Sequence, residues 1–373
     1  MSKKLCIIFS HASVYREPIY RLIDQTFDCE WHFSDEDGGV KRFDTNIFKN
    51  VTIHKHTKLK RFHWISGINK LLSKKGNTTF LMLAGTVDLS CWLFFLRAKL
   101  FYPKKKIYLW GHGWYGKETK MEAFIKRVIF KSVNGGLFSY GNYAKQLMRK
   151  EGIPADKLFV LHNSLNYDTQ RKLRESVTAS DIYIRHFGNS NPNIIFIGRL
   201  TEVKRLDQLV DALGILKSQG VNMNLTFIGD GAMRQNLENR VNSLGLRDRV
   251  WFYGACYDEI VNAEFIYNAD LCVAPGNIGL TAMHTMVFGT PVLSHNDFKW
   301  QMPEFEAIHP GITGDFFERD NVDDIAKTIK NWFDKNGSKR DEIRRNCMNE
   351  IDTQWNPYFQ IDVLKKNIVF AER

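Results

Sequence analysis

Two cations, Arg199 and Lys204, lie five residues apart directly after a short apolar run of the sequence. The run, residues 194–197, is largely β-branched and uncharged, so it predicts a buried strand that ends at Gly198. A helix is predicted from about Leu206, and the turn between a parallel strand and a helix presents free backbone N–H groups to an anion. A guanidinium and an ammonium at that turn suit a diphosphate, although two solvated cations on an ordinary turn would give the same pattern.

A second candidate side chain, His112, stands between Gly111 and Gly113, directly after the apolar run 107–110. This position is the carboxyl end of a predicted strand, where ligands bind in open α/β sheets. The two glycines allow the backbone to come close to a ligand. His112 is therefore a candidate catalytic residue, and a structural histidine is the alternative.

The elements that must position these residues alternate between strand and helix along both halves of the chain. This alternation predicts an α/β protein with two doubly wound, Rossmann-like domains that face a cleft. The predicted strands are 5–9, 31–33, 80–84, 107–110, 136–139, 158–161, 194–197, 224–228, 250–253, 271–274 and 291–294. The predicted divisions are a first domain over 1–162, a polar linker over 163–192, a second domain over 193–350, and a helix over 351–373 that could cross back to the first domain.

The net charge of +11 is concentrated in the first half. Residues 1–162 carry 28 Lys and Arg against 13 Asp and Glu, whereas residues 163–373 carry 24 against 28. The asymmetry predicts an anionic partner for the first half, although a merely basic surface is the alternative. The basic and aromatic segment 54–64 suits a membrane interface or nucleic acid. The apolar run 89–102, with three lysines after it, suits a helix on an anionic membrane or, equally, a buried helix with a solvated tail. We expect peripheral contact with an anionic membrane. No nucleic-acid-binding motif accompanies the charge, so no nucleic acid is expected as a partner.

No metal site is expected from the sequence. His54, His56 and His63 lie close together along the chain, but no carboxylate or cysteine completes a ligand set there. The acidic run 35–37 is followed by two glycines, which favours a solvated turn over a metal-binding Asp-x-Asp motif. Six scattered cysteines, no apolar run of about 18 residues and no signal segment predict a cytoplasmic protein with reduced thiols, acting at the cytosolic face of a membrane.

Five segments of the second half, taken in order, resemble the donor domain of family 4 retaining glycosyltransferases of the GT-B superfamily. They are Gly198-Arg199-Leu200 with Lys204, the strand and loop 227–231, the strand 269–275, the helix and strand 279–292, and the turn 310–314. The resemblance covers about residues 193–334, and the first half matches only in architecture and in His112.

The resemblance implies metal-independent transfer of a sugar from a nucleotide-diphosphate sugar, UDP favoured over GDP, to a glycan or lipid-linked acceptor with retention. Cell-surface polysaccharide or glycoconjugate synthesis would be the setting. Arg199 and Lys204, with backbone N–H groups of Thr281 and Ala282, would stabilise the leaving diphosphate, and His112 would approach the donor sugar. The residues implied for nucleotide-sugar binding are Gly198, Gly229, Asp230, Gly231, Gly254, Asn277, Gly279, Leu280, Thr281 and His284. A catalytically inactive binding subunit of the same fold is the alternative.

One departure from the family pattern concerns a pair of glutamates separated by seven residues, where this chain has Gly276 and His284. A histidine can still hydrogen-bond a ribose hydroxyl. Gly276 supplies no side chain, so we expect Asn277, backbone N–H groups or the segment 295–297 to recognise the donor sugar.

Overall fold

The short apolar runs form parallel strands, and the segments between them form helices, as the sequence predicts. The computed structural model describes residues 4–36, 42–83 and 87–371; the end of the predicted strand 80–84 and the end of the acidic run 35–37 lie outside these residues. The strands are β1 (Lys4–Phe9), β2 (Asp28–Ser34), β3 (Val51–His54), β4 (His56–Leu59), β5 (Phe62–Ile65), β6 (Thr79–Leu83), β7 (Lys106–Gly111), β8 (Gly136–Ser139), β9 (Leu158–Val160), β10 (Asn193–Ile197), β11 (Asn224–Ile228), β12 (Val250–Gly254), β13 (Leu271–Ala274), β14 (Val292–His295) and β15 (Gly314–Phe317). The helices are α1 (Glu17–Thr26), α2 (Leu89–Phe101), α3 (Lys120–Ser132), α4 (Asn142–Lys150), α5 (Tyr167–Ser176), α6 (Ile182–Phe187), α7 (Leu206–Ser218), α8 (Arg234–Ser243), α9 (Glu259–Asn268), α10 (Thr281–Met286), α11 (Val322–Asn336), α12 (Arg340–Gln354) and α13 (Pro357–Asn367).

The chain divides into two compact units. The first unit contains residues up to Asn166 together with residues from Asn356 onward, so α13 belongs to it and packs against α1. The second unit runs over Tyr167–Trp355. Here the structure differs from the sequence interpretation, because the polar segment 163–192 holds α5 and α6, which both contact α9. These helices bury few side chains, Tyr167 and Tyr183 among them, which is why their composition resembles that of a linker.

The first unit is built on a parallel sheet with strand order β3-β2-β1-β6-β7-β8-β9. From β1 the chain adds strands first on one side (β2, β3) and then on the other (β6 to β9), so the switch point of the sheet lies between β1 and β6. The loops that follow these two strands diverge there. Apolar clusters cover both faces of the sheet. A separate antiparallel hairpin, β4-β5, stands beside it.

The second unit has a parallel sheet with order β12-β11-β10-β13-β14-β15, which is the doubly wound order of a Rossmann-like domain. Its central strands β10 and β13 pair in the register Ile194↔Leu271 and are fully buried. They form the switch point, so the loops after Ile197 and Ala274 border the crevice where such sheets bind ligands. Within the described ranges, no helix combines the length and apolarity needed to cross a bilayer.

Candidate active site

Three glycine-containing loops meet at the carboxyl edge of the second sheet, after β10, β11 and β12. The Gly198 N–H donates to the Ile228 carbonyl (2.9 Å), and the Gly229 N–H donates to the Gly254 carbonyl (2.8 Å). A Cβ atom on Gly229 would lie 1.9 Å from the Gly198 carbonyl oxygen, so only glycine permits this approach. The structure therefore brings Gly198, Gly229 and Gly254 together, as a nucleotide-binding edge requires.

Asp230 and Gly231 continue the same edge. The Leu200 N–H donates to the Asp230 carbonyl (2.9 Å), and the Asp230 carboxylate accepts from the Gly231 N–H (2.7 Å). The carboxylate is exposed and lies 3.7 Å from the Arg234 guanidinium. Asp230 thus fixes the shape of the loop, and its carboxylate stands at the solvent side of the edge.

Lys204 lies at the switch point between β10 and β13. Its ammonium donates to both the backbone carbonyl (2.6 Å) and the side-chain oxygen (2.8 Å) of Asn277. A Cβ atom on Gly279 would lie 3.9 Å from the same ammonium. Burial lowers the pKa of Lys204 to about 8, because the desolvated charge lacks a full set of partners. Asn277 consequently positions the ammonium, and a bound anion would raise its pKa.

Arg199 is exposed beside Lys204, and the two charges interact, since the guanidinium contributes to the lowered pKa of the lysine. No described carboxylate forms an ion pair with Arg199. Glu304, which the sequence interpretation missed, acts on Lys204 in the opposite sense and raises its pKa. This glutamate is 2% exposed, in the 3₁₀ turn Pro303–Ala307. The site therefore combines two neighbouring cations with one buried carboxylate from the segment after β14.

Helix α10 begins close to Gly198. The Thr281 hydroxyl donates to the Ile197 carbonyl (2.9 Å), which ties the start of the helix to the end of β10, and Leu280 is the residue that precedes it. The Ala282 N–H donates to the Gly279 carbonyl (3.1 Å), so it is engaged and the expectation that it faces a phosphate is not met. The Thr281 N–H has no hydrogen-bond partner within the part of the chain that the structure describes.

Gly276, which the family 4 resemblance aligns with a glutamate, has no room for a side chain. A Cβ atom there would lie 2.0 Å from the Val203 carbonyl oxygen and 2.7 Å from Lys204 Cα. The Gly276 N–H also donates to the Lys204 carbonyl (2.9 Å). The glycine therefore allows the loop after β13 to close onto the turn that carries Lys204.

His284, at the second glutamate position, pairs with a carboxylate from another helix. Its Nε2 lies 2.9 Å from Glu259 Oε1, and the same oxygen accepts from the Gln170 side-chain amide (2.8 Å). Although burial raises it, the pKa of Glu259 lies below its ordinary value because His284 hydrogen-bonds the ionised form. The structure thus places a carboxylate beside His284, the residue that the family 4 resemblance aligns with a glutamate.

The segment 295–297 is occupied with its own contacts. His295 is 1% exposed, its Nδ1 accepts from the Asp297 N–H (3.2 Å), and burial lowers its pKa to about 4. The Asp297 carboxylate lies 3.4 Å from Arg319. Two of the groups that we expected to bind the sugar, the His295 imidazole and the Asp297 carboxylate, are thus already engaged in contacts within the protein.

His112 lies in the first unit and lines a cavity of about 500 Å³ at the carboxyl edge of the sheet. Its Nδ1 is buried and has no hydrogen-bond partner among the described residues, and its ring stacks on Tyr115 at 5.6 Å. Burial, with Arg16 and Lys126 nearby, lowers the pKa of His112 to about 4. His112 is therefore a neutral imidazole with an unused nitrogen beside a cavity, as a residue that contacts a substrate should be.

Arg16 lines the same cavity and was not singled out from the sequence. It is 9% exposed, donates to the Tyr140 hydroxyl, and lies 5.9 Å from the Trp110 ring centroid. The structure shows no ion pair to it from any described carboxylate. A buried guanidinium without a counter-charge is costly, so this cavity is electrostatically suited to an anionic ligand.

The structure corrects one premise of the sequence analysis in this unit. A carboxylate does complete a set with two of the three histidines: Glu36, His56 and His63 present ligand atoms that all lie within 4.8 Å of one another. The third, His54, instead contacts the Ser66 carbonyl (2.8 Å) and His32 (2.9 Å). Twenty residues separate Glu36 from His56, which is why spacing alone did not connect them.

Comparison with known proteins finds a family match within the second unit. Residues 184–350 match the family described as Glycosyl transferases group 1. The matched segment covers less than half of the chain. It contains the whole set of switch-point residues described above, from Gly198 to His284.

Relatives match over part of their length. An uncharacterized glycosyltransferase of Methanocaldococcus jannaschii is 30% identical over 148 residues, 38% of this chain and 36% of the relative. A GDP-mannose-dependent alpha-(1-6)-phosphatidylinositol dimannoside mannosyltransferase of Mycobacterium tuberculosis is 32% identical over 103 residues, 27% of this chain and 26% of the relative. The chain thus aligns with little more than a third, or less, of these two proteins.

Solved structures share the fold over nearly the whole chain. HepE of Anabaena, in complex with UDP, superposes with a TM-score of 0.73 at 14% identity, over 97% of this chain and 99% of that one. Sucrose-phosphate synthase of Thermosynechococcus elongatus gives 0.69 at 16% identity, over 98% of both chains. The predicted GT-B fold with two Rossmann-like domains is confirmed.

Proposed function

We propose that this protein is a glycosyltransferase that transfers a sugar from a nucleotide-diphosphate sugar to a glycan or lipid-linked acceptor. The observation that carries the proposal is the desolvated Lys204 ammonium beside the exposed Arg199, at the switch point of a group 1 glycosyltransferase domain. Breaking the bond between sugar and diphosphate places negative charge on the leaving group and positive charge on the sugar ring. Two fixed cations at the diphosphate stabilise that charge without a metal.

UDP is the favoured nucleotide, with GDP as the competing one. HepE of Anabaena, which shares the fold, has been solved with UDP and with UDP-glucose, and this supports UDP. The Mycobacterium tuberculosis relative is GDP-mannose-dependent, which makes GDP the necessary comparison. Retention follows from the family 4 resemblance, with the leaving phosphate oxygen accepting the proton of the acceptor hydroxyl.

The ribose is held, in this proposal, by Glu259 and His284 together. The family's second glutamate contacts the ribose, and here a histidine at that position hydrogen-bonds a carboxylate 25 residues earlier. Each partner keeps hydrogen-bonding capacity for a hydroxyl, since a carboxylate accepts at several lone pairs.

The acceptor binds to the first unit in the cavity lined by His112 and Arg16. The buried Arg16 guanidinium favours an acceptor with an anionic group, such as the diphosphate of a lipid-linked sugar. The neutral His112 imidazole orients the reacting sugar or the acceptor hydroxyl by hydrogen bonding.

An exposed apolar face supports peripheral contact of the first unit with a membrane. Helices α2 and α3 contact each other and leave large side chains in solvent: Leu93, Leu96, Leu100, Phe101, Met121, Phe124 and Val128. Lysines border this face, at 99, 104 and 120 among other positions. An apolar surface with a basic rim binds the interface of an anionic bilayer, where a lipid-linked acceptor would lie.

The test is binding and turnover with a panel of UDP- and GDP-sugars. We expect a nucleoside diphosphate to raise the melting temperature, and a matching nucleotide sugar to be hydrolysed slowly or transferred. Arg199→Ala and Lys204→Ala should each lower turnover about 100- to 1000-fold, as loss of one electrostatic donor does. Lys217→Ala is the matched control. Lys217 lies in the last turn of α7, where its ammonium donates to the Gly245 carbonyl and does not belong to the proposed site. Equal turnover rates in all three variants would show that Arg199 and Lys204 do not act in catalysis.

A catalytically inactive binding subunit is the second candidate, and the packed Gly276 favours it. No glutamate can occupy that position without displacing the Lys204 turn. This alternative predicts nucleotide binding without turnover on any donor, so the same panel separates the two functions.

A further inference from the structure

We infer that Glu36, His56 and His63 form a binding site for one zinc-class divalent cation in the first unit. The site lies in the cavity that His112 and Arg16 also line. Two imidazoles and one carboxylate are a typical ligand set for Zn²⁺ and neighbouring transition metals.

The positions of the three ligand atoms suit a single ion. His56 Nε2 lies 2.8 Å from His63 Nδ1, and Glu36 Oε1 lies 3.9 Å from the first and 3.6 Å from the second. In a tetrahedral site with bonds of about 2.0–2.1 Å, ligand atoms are about 3.3–3.4 Å apart, which these distances bracket. A histidine–histidine hydrogen bond alone explains the shortest distance, but it leaves Glu36 too far away to hydrogen-bond either ring.

The backbone holds these side chains together. In the β4-β5 hairpin, His56 pairs with Ile65 and His63 with Lys58, so the two histidines lie on one face as diagonal neighbours. The end of β2 is tied to this hairpin, because Asp35 accepts from the His56 N–H (2.6 Å). Glu36, the next residue, is thereby held against the two imidazoles.

The three side chains are mostly buried but remain accessible from the cavity. The exposed fractions are 26% for Glu36, 11% for His56 and 26% for His63. Three protein ligands leave a fourth position for water or a ligand, as in catalytic zinc sites. Since the three residues line the cavity, that position can take an oxygen atom of a molecule bound there.

What molecule would supply the fourth ligand rests on the proposed function. If the cavity holds the acceptor, the ion binds an acceptor oxygen and Arg16 its anionic group. The site lies in the first unit, so it leaves unchanged the proposal that two cations of the second unit stabilise the diphosphate without a metal.

The test is metal binding by the full chain after dialysis against a chelator. Titration calorimetry with Zn²⁺ is expected to show one tight equivalent per chain, and Co²⁺ to give the visible absorption of a tetrahedral site. Glu36→Gln and His56→Ala should each weaken binding about tenfold or more, since even partners of metal ligands have effects of this size. His309→Ala is the matched control, because this half-exposed histidine also lies beside a carboxylate, Glu350 (3.1 Å).

Absence of a tight equivalent, a Co²⁺ spectrum of octahedral type, or equal affinity in all variants would overturn the proposal. Nucleotide binding is the independent readout, because it belongs to the second unit. It should be unchanged in Glu36→Gln, so failure of the metal site is distinguishable from failure of the proposed function. Circular dichroism of each variant checks that the first unit remains folded.

Discussion

Replacement of Gly276 by alanine tests whether the loop after β13 must close onto the Lys204 turn. The added Cβ would lie 2.0 Å from the Val203 carbonyl oxygen, whereas real contacts of this kind stay beyond 3.0 Å. The turn must therefore move by about 1 Å or the loop must open. Either change breaks the hydrogen bond from the Gly276 N–H to the Lys204 carbonyl.

The cost follows from these two contacts. Overpacking of this kind destabilises by about 1–3 kcal/mol, and a lost backbone hydrogen bond adds about 0.5–1.5 kcal/mol. The free energy of unfolding of the second unit should therefore fall by about 2–4 kcal/mol. For a unit of this size, the melting temperature should drop by about 4–16 °C. Because Lys204 moves with the turn, UDP affinity should fall as well.

Scanning calorimetry and UDP titration of Gly276→Ala measure both effects. The matched control is Gly214→Ala, in the interior of α7, where the new Cβ would only reach ordinary contact with Leu244 at 3.4 Å. That change should stabilise by about 0.5–1 kcal/mol, because alanine is the better helix former. Gly276→Glu, which introduces the glutamate that the family 4 resemblance implies at this position, should also lose stability and gain no activity. If Gly276→Ala melts and binds like wild type, the steric account of the missing glutamate is refuted.

Three further predictions concern titration and ribose binding. UDP affinity should fall about tenfold between pH 7 and pH 9, because Lys204, with a pKa of about 8, loses its proton. A UDP affinity measured by titration calorimetry that does not change over this range would contradict the prediction. Neutral His112, with a pKa of about 4, contributes stability that is full above about pH 6.5 and lost as pH falls through 4. Urea denaturation at pH 7 and pH 4 should therefore show a smaller acid loss in His112→Gln, by up to about 3 kcal/mol. Glu259→Gln should weaken UDP binding about tenfold, whereas Glu264→Gln in the same helix should not; equal affinities would exclude Glu259 from the ribose site.

The sequence by itself determined most of the parallel strands and the repetition of the α/β pattern in both halves. It missed β3, β15 and the hairpin β4-β5. Local periodicity and glycine positions carry the information on the predicted strands, because short, β-branched apolar runs bounded by turn residues indicate buried parallel strands. The same locality explains why Gly198, Arg199 and Lys204 could be grouped, since one strand-to-helix turn holds all three. The polar helices α5 and α6 were misread, because helices that bury few side chains lack an apolar signature.

The tertiary structure alone decided which distant residues share a site. Glu259 reaches His284, Glu36 reaches His56, and Arg16 enters the cavity of His112 because strand order brings separate loops to one edge of a sheet. It also explained Gly276, whose lack of a side chain is set by a backbone contact with a turn some seventy residues earlier. Contacts of this kind depend on packing between elements far apart in the chain, and spacing within a sequence carries no record of them.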